Sequence, residues 1–256
     1  MASPSMSYLH HLEELRRRII VCAIALVLAF AVAWLFAWDI LAVLKAPAGT
    51  VTLNYMSPME PFLVRFKLAL FGGILLAMPV ILFEILSFVS PALKEKERNY
   101  AVIVMVMICA FFVVGVFFGY KVIMPPGIRW LFNVAGSQMN PVLSASQYVT
   151  FMGWFMIGIG VSFETPVFIW FLVALGVVTP EQLQKQWRWA ILIILVVASV
   201  ITPDWSPVTM TLVAIPMMGL YILSIIIAKF TVRRKKNAAA ELELAEAESS
   251  ASESAS

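Results

Sequence analysis

Apolar residues run in long stretches along this chain, at about 19–44, 68–89, 101–124, 148–178, 190–201 and 208–228. At 1.5 Å rise per residue, the first four can cross a hydrocarbon core of about 30 Å as helices. The fifth cannot: its dozen residues reach only about 18 Å. Thr202-Pro203-Asp204 ends it, and Pro207 flanks the run that follows. The pattern predicts an all-α polytopic membrane protein with six transmembrane helices, the last two short. A re-entrant hairpin over 190–228 is the alternative, since it returns the tail to the same side.

Charge between the runs orients them. Arg16, Arg17, Arg18, Lys94, Lys96, Arg98, Lys185, Arg188 and the cluster Lys229, Arg233, Arg234, Lys235 and Lys236 fall on one side. Lys45, Arg65, Lys67, Lys121 and Arg129 fall on the other. Lys and Arg mark the cytoplasmic side of short loops. Both termini are therefore expected in the cytoplasm. Three segments follow: a cytoplasmic amphipathic stretch 1–18, a membrane domain 19–230, and a tail 231–256, basic and then acidic. The end of that tail, rich in Ser, Ala and Glu, has little to bury and is expected to be disordered.

Composition narrows the chemistry. Hydrophobic residues make up 62% and charged residues 13%, against about 45–50% and about 25% in soluble domains. A chain of 256 residues so composed leaves no room for a large domain outside the bilayer. Cys22 and Cys109 both fall inside apolar runs and suggest no disulfide framework. The adjacent His10 and His11 offer no metal-ligand set, and no phosphate-binding glycine pattern appears. The first apolar run exceeds a signal-peptide core and follows Glu13 and Glu14, so it is expected to remain as a helix. No catalytic set, metal, cofactor or nucleic-acid partner is expected.

Three acidic sites stand out. In HLEELRRRI, residues 11–19, Leu12, Leu15 and Ile19 form an apolar stripe, while Glu13–Arg17 and Glu14–Arg18 are i,i+4 pairs in the favourable order. Either these pairs satisfy themselves, or one glutamate receives a cation from a partner. In SPALKEKERNY, residues 90–100, Glu95 and Glu97 lie among Lys94, Lys96 and Arg98. That is either a solvated mixed-charge loop or part of a seat for guanidinium groups. In GIGVSFETPVFIW, residues 158–170, Glu164 lies in mid-run, with Glu84 in the second run as a weaker companion. An ionised group at mid-span costs several kcal/mol and is a functional hypothesis by default. Pro166 should kink this helix by freeing the carbonyl of Ser162. Glu164 then either satisfies that carbonyl locally or meets polar groups of a partner.

The ordered motifs HLEELRRRI, KAP, SPMEPF, FVSPALKEKER, GVSFETPV and ITPDWSPVTMTLVAIPM resemble the TatC family over nearly all of the chain to about Phe230. The resemblance implies six helices in a concave, glove-like arrangement, in the plasma membrane with both termini cytoplasmic. It implies a receptor and core subunit of the twin-arginine translocase, binding twin-arginine signal peptides of folded precursors. Its implied partners are TatA- and TatB-type single-span subunits, the lipid bilayer and further copies of itself, with transport driven by the proton-motive force. Glu14 and Glu97 match the acids that receive the arginine pair, supported by Arg16 and Phe88. Pro47 matches an outer-loop proline, and Glu164 a buried glutamate facing the concave side beside Pro166. TPDW has one proline before its acid where the resemblance leads us to expect two, so it does not extend a role to Asp204. Proline-broken helices and buried acids also suit a proton-coupled secondary transporter of a small solute. That alternative usually brings repeated halves, and no clear repeat is found.

Overall fold

The computed structural model describes residues 4–49, 52–89, 98–134, 136, 142–174, 176–202 and 206–254. Long helices dominate because the apolar runs must satisfy every backbone group internally in lipid. Helix α1 (Pro4–Leu35) breaks at Phe36 and resumes as α2 (Ala37–Lys45). A 3₁₀ turn, Ala46–Ala48, holds Pro47, and Gly49 follows in the left-handed region at φ 66°. Helix α3 (Glu60–Val89) comes next, then α4 (Arg98–Phe118), which passes through a π turn, Gly119–Ile123, into α5 (Met124–Asn133). After it come α6 (Ala145–Ser162), α7 (Thr165–Ala174), α8 (Pro180–Lys185), α9 (Trp187–Ile201) and α10 (Pro207–Ser254). Two short strands, β1 (Leu53–Asn54) and β2 (Leu143–Ser144), pair in parallel, with Leu53 opposite Leu143.

Among the described residues, five helical stretches are long and apolar enough to cross a membrane: Leu12–Leu35, Glu60–Phe88, Val104–Asn133, Ala145–Ala174 and Pro207–Phe230. Of the last pair, both expected to be short, only α9 is: the α10 stretch Pro207–Phe230 runs 24 residues, as many as Leu12–Leu35. The 15 residues of α9 reach about 22 Å.

Two expected boundaries move. The second apolar run starts at Leu68, after Arg65 and Lys67, but α3 begins at Glu60. Both cations are absorbed: Arg65 stacks over Trp34 at 4.7 Å, and Lys67 donates to Ser146 Oγ at 2.6 Å and Thr150 Oγ1 at 2.9 Å. The third apolar run ends at Met124, before Pro125-Pro126. The π turn instead delivers both prolines to the first turn of α5, where a missing N–H costs little.

The α6–α7 column forms the centre, two-thirds buried, whereas α1 is almost wholly uncovered and packs chiefly on α3. Without a hydrophobic drive between helices in lipid, close approach decides packing, and small residues permit it. A Cβ on Gly73 would lie 2.8 Å from the backbone of Phe30, so glycine sets the α1–α3 contact. Across α4 and α6, Gly115 seats Phe163 and Gly160 seats Phe112 in the same way.

Beyond the far ends of the helices, buried Glu60 ties the loops together. It accepts from Met56 N–H at 2.6 Å, Ser144 Oγ at 2.6 Å and Ser146 N–H at 3.0 Å. Tyr120 and Tyr148 donate to the carbonyls of Val43 and Leu44, each at 2.7 Å, pinning the end of α2 beside Pro47.

Candidate functional site

Glu14 sits three turns into α1, half-buried where that helix meets the end of α3. Its side chain lines a cleft of about 300 Å³ together with Arg17, Arg18, Phe83, Glu84 and Ser87. The expected i,i+4 pair is present: Arg18 donates to Glu14 Oε1 from Nη2 at 2.7 Å and from Nε at 3.1 Å. Glu13 and Arg17 stay exposed, and the described ion pairs both converge on Arg18.

Arg18 has further partners that sequence reasoning, which paired it with Glu14 alone, missed. Beyond Glu14 it reaches α3, donating from Nη1 to Glu84 Oε2 at 2.8 Å and to the Glu84 carbonyl at 3.1 Å. Its Nη2 also donates to the Ser87 carbonyl at 3.1 Å. Glu84 is therefore no companion of Glu164. It is an α3 carboxylate committed to a guanidinium on α1. The signal was a lone acid near the end of the second run and an arginine just before the first, a pairing that only the α1–α3 contact reveals.

The supporting positions fall near this cleft without entering it. Arg16 is exposed on α1, and Phe88 lies half-buried in the last turn of α3. Glu97, with Glu95 and the lysines around it, lies outside the described residues, as does Asp204. Among the described residues no three of His, Cys, Asp and Glu converge as a metal site.

Glu164 occupies the break between α6 and α7. The turn there tightens, with Glu164 N–H donating to Val161 C=O at 3.0 Å. The Ser162 carbonyl freed by Pro166 accepts from Thr165 Oγ1 at 2.6 Å, so the local role considered for Glu164 is filled by the neighbouring hydroxyl. Glu164 itself is fully buried, and among the described residues neither of its carboxylate oxygens has a hydrogen-bond partner. A groove of about 440 Å³ between α6–α7, α9 and α10 is lined by Ser162, Thr165, Ile193 and Tyr221, but not by Glu164.

A protein-family model matches most of the chain. It is described as Sec-independent protein translocase protein (TatC) and aligns with residues 10–216. The chain belongs to the TatC family. Among its relatives is the Sec-independent protein translocase protein TatC of Aquifex aeolicus, 33% identical over 237 residues, 90% of this chain and 98% of that one. The TatC of Koribacter versatilis is 34% identical over 252 residues, 94% of this chain and 92% of its own. A crystal structure described as the twin arginine translocase receptor TatC superposes with a TM-score of 0.76 at 32% identity. It covers 85% of this chain and 99% of its own. The TatC fold thus extends over 85% of this chain.

Proposed function

We propose that this chain is the receptor and core subunit of a twin-arginine translocase in the plasma membrane. It binds the twin-arginine signal peptides of folded precursors on its cytoplasmic face, and assembles the translocation site with TatA- and TatB-type subunits and further copies of itself. The observation that carries this reading is chemical: Glu14, in a cleft at the end of the bundle, already holds a guanidinium through two N–H groups. A carboxylate so placed suits an incoming arginine, because charge-assisted carboxylate–guanidinium bonds are strong and directional. Glu97 supplies the second acid, Arg16 and Phe88 border the seat, and Pro47 shapes the outer loop. Glu164 is the intramembrane acid, whose unbonded carboxyl is left for a polar group of a partner helix. The proton-motive force drives transport.

Site-specific photocrosslinking from position 97 to a twin-arginine peptide tests this reading. A crosslink that disappears when both arginines are replaced by lysine is expected. An equal crosslink to both peptides would overturn it.

A further inference from the structure

Arg18 donates five hydrogen bonds, as many as a guanidinium has N–H groups. Two go to Glu14 on its own helix. Three go to α3, at the Glu84 carboxylate and the carbonyls of Glu84 and Ser87. The division is unequal in a useful way. If Glu14 is taken by another guanidinium, Arg18 keeps its larger share of bonds and its charge remains paired with Glu84. Both acids and Arg18 are mostly buried, at 14–19% side-chain exposure. Arg17, the other charged group lining the cleft, is exposed.

We propose that Arg18 is a built-in competitor for Glu14, standing on it where a signal-peptide arginine binds, and that Glu84 is the acceptor that retains Arg18 when it is displaced. This rests on the receptor reading and adds its specificity device. A ligand must offer a better fork than Arg18 already provides. A planar guanidinium can match that geometry, whereas a lysine ammonium brings a point charge with no fork. The resident arginine therefore sharpens selection against lysine by setting what an incoming cation must replace. Glu84 keeps the exchange from leaving a desolvated cation without a partner, which would be costly.

Binding of a labelled twin-arginine peptide and its twin-lysine counterpart to the full chain in nanodiscs tests this. The variants are Glu84→Gln, Arg18→Gln, the double variant and Glu14→Ala. Removing the charged acceptor should hold Arg18 on Glu14 and weaken twin-arginine binding about tenfold, the value of one charge-assisted contact. Arg18→Gln should bind twin-arginine at least as tightly as the unmodified chain and lose much of its discrimination against lysine. The double variant should return to within about threefold of the unmodified chain, because the competitor has gone. Unchanged binding in Glu84→Gln overturns the proposal. So does an Arg18→Gln variant that keeps its cooperative melting yet binds more weakly, since Arg18 would then support Glu14 rather than compete for it. If a variant melts early, the double variant decides: rescue supports competition, and additive loss refutes it. Unchanged binding in Glu14→Ala would instead remove the receptor reading on which all of this stands.

Discussion

At the scale of single residues, Glu164 is the group with the least local explanation. A buried carboxyl with both oxygens unbonded is rare in folded proteins and calls for a partner. Thr165 already closes the proline gap, so the acid is not spent on the kink. Glutamine keeps a donor and an acceptor at nearly the same reach, whereas leucine removes both. Glu164→Gln should retain substantial export; Glu164→Leu should insert and bind signal peptide but fail in assembly with the single-span subunits. Export, crosslinking and protease resistance measured on the same preparations separate these outcomes. Glu14→Ala, at the cleft, and Glu97→Ala should each weaken peptide binding by about 1.5–3 kcal/mol, roughly ten- to a hundredfold in Kd. Glu95→Ala should change it far less, and equal losses at all three in a titration would make loop charge the cause.

At the scale of elements, the α1–α3 contact carries the cleft, and Gly73 carries the contact. A methyl group there meets Phe30 backbone rather than a side chain that could rotate away. Gly73→Ala should therefore cost about 1–3 kcal/mol of stability and loosen the Arg18–Glu84 pairing, read as a lower Tm in detergent together with altered peptide affinity. That the chain is built of long membrane helices was legible because unbroken apolar runs have few other meanings. Their ends were less so, because the rule that charge and proline stop a span fails where tertiary partners intervene. Lys67 is covered by hydroxyls of α6, and Pro125 is accommodated by a π turn. The site was legible in part for the same reason. Glu14–Arg18 lies within one helix and could be read from spacing. Glu84 needed a neighbour 66 residues away.

At the scale of the whole molecule, the Lys/Arg distribution leads us to expect that the face holding the termini is cytoplasmic. A single cysteine at Ser206, in an otherwise cysteine-free chain, should react with a membrane-impermeant reagent from outside intact cells. Reaction only after the cytoplasm is opened would favour a re-entrant hairpin for the last two helices. The distance in sequence between Arg18 and its α3 acceptors also has a consequence in time. A chain growing at about 5–20 residues per second leaves roughly 3–13 s between the appearance of the two residues. For that interval α1 meets lipid before α3 exists, and Glu14, four residues away, is the partner that can cover the arginine. The pairing within α1 is thus the earlier of two states, an escort for a charge waiting at the membrane edge. The clasp with α3 is the later one, made only once the second long helix has been threaded in.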